Sequence, residues 1–204
     1  MTNIYITGAK RSPIGKFLGS LSSLSAPQLG KVVIKQVISD SKLDVDQVDE
    51  VIFGQVLTAG SGQNTARQSA ILAGIPFEKS ALTVNQVCGS GLRSVSLGAQ
   101  SIITNQSEVV IAGGQESMSN ATHTANLRNG LKMGDGKFKD SMIIDGLWCA
   151  MNDYHMGTTA ENVAEKFKIS KLKQDQFATA SQNKAENAQK SKKFTDEIVP
   201  IIIP

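Results

Sequence analysis

Cys88 sits in Asn85-Gln86-Val87-Cys88-Gly89-Ser90-Gly91-Leu92, between an apolar strand-like run, Ala81 to Val84, and a small-residue segment that turns helical. A thiol at a helix N-terminus feels the partial positive charge of unpaired backbone N–H groups, which favours the nucleophilic thiolate. Gly89 and Gly91 are expected to clear space around the sulfur and let a substrate approach the backbone. They would also offer an N–H to the oxyanion that forms when Cys88 attacks a carbonyl. The alternative is a cysteine buried in a tight strand–helix turn, and the octapeptide by itself leaves both open.

The flanking elements alternate. Leu29, Val32, Val33 and Val37 recur at helical spacing up to Ser41, and Val48 to Leu57 reads as a β-branched strand. Asn64 to Ala73, rich in alanine, reads as a helix leading through Gly74-Ile75-Pro76 to the strand before Cys88. After Cys88 the spacing of Leu92, Val95, Ala99, Ile102 and Ile103 predicts one apolar helical face. Glu108 to Ala112 then reads as a buried strand ending at Gly113-Gly114. This alternation predicts a layered α/β domain with a largely parallel sheet over residues 1–119. The character changes from Asn120: residues 126–140 are polar and glycine-bearing, an insertion rather than sheet. Thr158-Thr159-Ala160-Glu161 has capping-box spacing and is expected to open a helix running through Phe167. A further helix is expected over 173–190, with a weakly apolar face around Phe177, Ala180 and Ala188. Ile198 to Pro204 is an apolar β-branched run that needs a pairing partner, either a sheet already present or the rest of a larger fold.

Composition narrows the function classes. With 40% hydrophobic residues, 204 residues suffice for a sizeable core, and a net charge of +3 on dispersed lysines argues against a nucleic-acid partner. The two cysteines, Cys88 and Cys149, form no disulfide framework, and no paired Cys or His spacing suggests a metal site. Residues 1–6 carry neither a basic start nor a long apolar stretch, and no run is long enough to span a bilayer. A cytoplasmic protein is therefore expected.

The octapeptide has company. Lys10-Arg11-Ser12-Pro13-Ile14-Gly15-Lys16-Phe17, Gly62-Gln63-Asn64-Thr65-Ala66-Arg67-Gln68 and Ala112-Gly113-Gly114-Gln115-Glu116-Ser117-Met118-Ser119 resemble thiolase motifs, in thiolase order. Tyr154-His155-Met156-Gly157-Thr158-Thr159-Ala160-Glu161-Asn162-Val163-Ala164 resembles the substrate-loop segment of the acetyl-CoA acetyltransferases, or acetoacetyl-CoA thiolases. The resemblance spans the chain. It implies a layered α/β fold of two repeated βαβ-type halves, of which residues 1–119 resemble the first. A loop domain for coenzyme A and tetramer assembly would follow, cut short over 120–204.

The reaction implied is the reversible condensation of two acetyl-CoA molecules to acetoacetyl-CoA and CoA, a step of lipid and ketone metabolism. Cys88 would be acetylated first, and its backbone N–H would be one oxyanion donor. Leu147, His155 and Met156 match positions that contact the pantetheine arm. From the residues alone, His155 would be a structural histidine and the other two ordinary core. No cofactor is implied beyond the thioester substrate. Gln63, Asn64 and Arg67 are expected to serve helix capping and packing near the Cys88 loop.

In the family, a second half supplies a Gly-His-Pro histidine, an Asn-Glu-Ala-Phe segment and a Cys-x-Gly base. None of these occurs in the 204 residues. Cys149, in Leu147-Trp148-Cys149-Ala150 with no glycine two positions on, is expected to be a buried packing thiol rather than that base. Either the chain works with a second thiolase polypeptide or the rest of its own chain, or it is an inactive remnant that at most binds CoA or joins other subunits. A β-ketoacyl synthase relative, with a similar fold and nucleophile, is a third reading.

Overall fold

A computed structural model describes residues 3–203. Met1 and Thr2, at the start of the opening segment, and Pro204, at the end of the terminal apolar run, lie outside the described residues. The chain divides into two compact units, one of residues 1–146 with 199–204, the other of residues 147–198. The change of character at Asn120 falls inside the first unit.

The first unit is built on a doubly wound βαβαβ core. Helix α1 (Ala26–Asp40) opens with Ser25 as N-cap, its hydroxyl accepting the Gln28 N–H while the Gln28 side chain bonds back to the Ser25 N–H. Then follow β1 (Glu50–Gly54), α2 (Thr65–Ala73), β2 (Ser80–Val84), α3 (Ser90–Ile103) and β3 (Val110–Gly114). The three strands form an all-parallel sheet in the order β2-β1-β3, with Phe53 level with Thr83 and Gly113. Central β1 is buried from Val51 to Gly54, as a strand covered on both faces must be.

Alternation along β1 sorts the layers. Val51 and Phe53 point into a core with Ile34 and Ile38 of α1, Ala66, Ala70 and Ala73 of α2, and Ile111 of β3. The buried line of α1 is Pro27, Gly30, Ile34 and Ile38, with Leu29, Val32, Val33 and Val37 half-buried along its flank. The opposite sheet face receives α3, and here the sequence expectation is overturned. The buried residues of α3 are Ser90, Ser94, Gly98 and Ser101, while Leu92 is 79% exposed and Val95 and Ile103 are also exposed. The reason is distance. A side chain at Gly54 would place its Cβ 2.5 Å from the Ser90 carbonyl carbon, and one at Gly98 would come 3.1 Å from Val110 Cγ1. Only a small-residue stripe lets α3 lie this close; the Ser94 hydroxyl then bonds the Gly91 and Gly113 carbonyls at 2.6 and 2.7 Å.

Beyond β3, β4 (His123–Thr124) and β5 (Lys139–Asp140) pair antiparallel and close the glycine-bearing insertion at its base. The terminal apolar run forms no strand among the described residues. Val199 is buried and donates its N–H to the Arg11 carbonyl at 2.8 Å, whereas Ile202 is exposed.

The second unit holds β6 (Trp148–Cys149), β7 (Tyr154–His155), α4 (Met156–Lys166) and α5 (Lys171–Lys190), with β6 and β7 paired antiparallel. Helix α5 starts two residues earlier than expected, with Ser170 as N-cap, and none of its residues is buried. Phe177 is exposed, so the weakly apolar face finds no partner within this unit. No helix among the described residues is long and apolar enough to cross a membrane.

Gly54→Ala is expected to destabilise the chain by about 1–3 kcal/mol, because the new methyl meets backbone rather than a movable side chain. Urea unfolding followed by circular dichroism checks this; an unchanged midpoint would contradict the close packing of α3.

Candidate active site

Cys88 is exposed at the carboxyl end of the parallel sheet, in the turn between β2 and α3. Open parallel sheets bind ligands at that end. Gly89 is the N-cap of α3 with no side-chain cap, so the helix begins immediately after the cysteine. Val87, the preceding residue, adopts φ +49°, a left-handed backbone that costs a β-branched residue on the order of 1–3 kcal/mol. Ser90 fixes one side of the turn. Its buried hydroxyl accepts the Gln86 N–H at 2.8 Å and donates to the Val87 carbonyl at 2.6 Å.

The glycine expectation changes in detail. The Gly89 N–H is taken up by the Gln86 carbonyl at 3.1 Å, so Gly89 is not the oxyanion donor. A side chain at Gly91 would meet open space; the tight positions are its neighbours across the interface, Gly54 and Gly114. A Cβ on Gly114 would lie 3.2 Å from the Gly54 carbonyl oxygen and 3.4 Å from the Gly91 Cα. Glycine is thus required opposite the Cys88 turn more than within it.

The remaining motifs of the first unit brace this end of the sheet. Gln115 is buried; its amide nitrogen donates to Gln55 Oε1 and the Thr65 carbonyl, and its oxygen accepts from the Ser69 hydroxyl at 2.5 Å. A Cβ at Gly30 would meet Gln115 Oε1 at 2.0 Å, so α1 also packs directly on this network. The Glu116 carboxylate accepts the N–H groups of Val56 and Leu57 at 2.8 and 3.2 Å, joining the chain beyond β3 to the chain beyond β1. Asn64 caps α2 at the Arg67 N–H and donates to the Ala81 carbonyl, and Arg67 bonds the carbonyls of Phe77 and Lys79. Capping and loop bracing are therefore what Asn64 and Arg67 do, in line with the capping and packing expected of them. Gln115 and Glu116 belong to a motif whose residue types alone assign them no role. An isolated Gln-Glu after a glycine pair carries no signal of burial, so only the fold could reveal them.

Leu147, His155 and Met156 belong to the second unit, and Cys88 to the first. Leu147 ends a π-helical turn, Met142–Leu147, and is half-buried. His155, not Thr158, is the N-cap of α4: its Nδ1 accepts the Gly157 N–H at 3.0 Å. The Thr158 capping box is overturned because this bond closes the helix start earlier, leaving Thr158 inside the first turn. Met156, the first helical residue, is exposed. Cys149 is half-buried rather than a buried packing thiol. The Asn152 amide donates to its sulfur at 3.2 Å, and this bond, with the Asn152 backbone, pulls the thiol below its ordinary range. Among the described residues, no cluster of His, Cys, Asp or Glu could hold a metal ion.

With this geometry in view, comparison with known proteins is decisive. Residues 4–204 match the family model described as Thiolase, N-terminal domain. The chain belongs to the thiolase family. It is 58% identical to the acetyl-CoA acetyltransferase of Paracoccus denitrificans over 203 residues, covering 100% of this chain and 52% of that protein. It is 55% identical to that of Cupriavidus necator, again covering 100% of this chain and 52% of the relative. A probable acetyl-CoA acetyltransferase of Escherichia coli is 50% identical, covering 99% of this chain and 52% of the relative. The chain spans about half the length of the curated relatives it matches. This thiolase chain has the α/β fold with parallel sheet that the sequence predicted.

Burial raises the Glu116 carboxyl above the ordinary glutamate value of 4.5, against the opposing pull of the Val56 and Leu57 N–H groups. A carboxyl that holds its proton more tightly folded than unfolded makes stability fall as pH climbs from 4.5 through the raised value. Asp49 works the other way. N–H groups of Val109 and Glu108 hold it below 3.8, so its contribution is lost as pH falls through that lowered value. Urea midpoints across pH are expected to show Glu116→Gln flattening the decline above 4.5 while the acid-side loss stays; an unchanged slope would rule out Glu116 as its source.

Proposed function

We propose that the chain is the nucleophile-bearing part of a thiolase-type acyltransferase acting on acetyl-CoA. The observation that carries this is Cys88 exposed at the start of α3, at the carboxyl end of the parallel sheet. The Cys88 thiolate attacks the acetyl-CoA carbonyl carbon; the bond to the CoA sulfur breaks, and CoA leaves as its thiolate and takes up a proton. A second acetyl-CoA loses an α-proton to a base, and its carbanion attacks acetyl-Cys88. The bond from Cys88 to the acyl carbon then breaks, releasing acetoacetyl-CoA and restoring the thiolate. The Cys88 N–H is the proposed oxyanion donor in the covalent steps. The 204 residues hold none of the family's base motifs, so the base comes from a complementary thiolase half, and the completed enzyme is a tetramer in the cytoplasm. No cofactor takes part beyond the thioester itself. Leu147, His155 and Met156 are the proposed contacts for the pantetheine arm.

A second reading, a module that joins other thiolase subunits without chemistry of its own, is favoured by the exposed apolar side chains Leu82, Leu92, Val95 and Ile103. The thiolase match and relatives named acetyl-CoA acetyltransferase support a thiolase-type reaction over that of a β-ketoacyl synthase.

Incubated with acetyl-CoA, the chain is expected to gain one acetyl group, located at Cys88 by peptide mass spectrometry and absent in Cys88→Ala. Acetoacetyl-CoA cleavage is expected only when a carboxy-terminal thiolase half is added. No acetylation and no cleavage in that mixture would leave the module reading. His155→Ala is expected to lower stability by about 1 kcal/mol through loss of its cap, and His155→Asn to retain the cap. If His155 touches CoA, both variants weaken CoA binding by calorimetry; equal binding in His155→Asn and the parent removes it from the contact set.

A further inference from the structure

We propose that Asn85 is a positioning residue for the Cys88 nucleophile, acting by holding Val87 in the left-handed conformation that presents the cysteine. This rests on the assignment of Cys88 as nucleophile. Val87 is β-branched, at φ +49°, and the residue is 49% exposed. Packing therefore does not hold this backbone in a region that valine avoids. Hydrogen bonds do.

On the helix side, the Val87 carbonyl accepts from the Ser90 hydroxyl and the Ser90 N–H. Ser90, the first residue of α3, is buried against Gly54, so this side of the turn is set by the core. On the strand side, the Val87 N–H donates to Asn85 Oδ1 at 2.9 Å, an Asx-type bond two residues on. Asn85 is exposed and has little packing to keep it in place. Its Nδ2 reaches the Val56 carbonyl at the long distance of 3.5 Å. The Val56 N–H is in turn held by the buried Glu116 carboxylate at 2.8 Å. Asn85 is thus the link between the strained residue and the braced chain beyond β1.

The amide suits the position. It accepts from one backbone group and donates to another, and unlike aspartate it adds no negative charge beside a thiolate. Without the Asn85 bond, Val87 relaxes towards the extended region. Cys88 then leaves its place at the start of α3, and helix N-termini are where cysteines become nucleophilic thiolates.

The test is alkylation of the full chain by iodoacetamide, with the rate at each cysteine read separately by peptide mass spectrometry. Cys149, in the other unit, serves as the internal control. Asn85→Ala is expected to slow Cys88 at least fivefold and leave Cys149 within twofold of the parent. Asn85→Ala combined with Val87→Gly is expected to restore Cys88 to within twofold, because glycine adopts positive φ without help. An unchanged or raised Cys88 rate in Asn85→Ala, a parallel change at both cysteines, or no recovery with Val87→Gly would each overturn the proposal. Alkylation needs no acetyl-CoA. Failure of both acetylation and cleavage with the added thiolase half, alongside the expected alkylation pattern, would therefore sink the acyl-transfer reading and leave the role of Asn85 standing.

Discussion

The close approach of α3 to the carboxyl ends of β1 and β3 is the constraint on which this molecule turns. Gly54 and Gly114 have no side chains to hold the helix off, and Ser90, Ser94 and Gly98 of α3 present the sheet with a helix face of minimal height. The first turn of α3 is consequently pressed against backbone, and the residue just before it, Cys88, is carried to the sheet's open end. A helix standing off at the usual distance for Leu or Ile side chains would put the cysteine elsewhere and leave Ser90 without its place in the turn.

Packing backbone against backbone leaves polar groups to be satisfied, and the motif residues do this. Ser94 answers the Gly113 carbonyl, Gln115 links Ser69, Thr65 and Gln55 beneath α1, and Glu116 ties Val56 and Leu57. A buried amide or carboxylate that lacked these partners would cost on the order of 1–3 kcal/mol or more, so each bond also specifies the arrangement. The strained Val87 sits at the edge of this rigid layer. The core resists on one side of it and a single exposed asparagine on the other.

The second unit follows different rules. Helices α4 and α5 bury no residue, and their starts are set by side-chain caps, His155 on Gly157 and Ser170 on Lys173. Local hydrogen bonds rather than a core define these boundaries. The apolar residues displayed on α3 in the first unit make the complementary point: hydrophobic periodicity marks an apolar helix face without saying whether it is buried.

The sequence by itself determined the order of helices and strands, the parallel sheet, the thiol at a strand–helix turn and the thiolase kinship. These are written in local periodicity, glycine placement and motif order. It also pointed to Asn64 and Arg67 as bracing residues, because capping is a local interaction. Only the tertiary structure decided which face of α3 is buried, since the answer depends on Gly54 and Gly114, distant in sequence from that helix. It decided too that His155 caps α4 in place of Thr158, that the Gly89 N–H is already committed, and that Gln115 and Glu116 form the polar layer under the site. Periodicity records how apolar a helix face is, whereas burial follows from how near another backbone can come, and that distance is set by residues far apart in the chain.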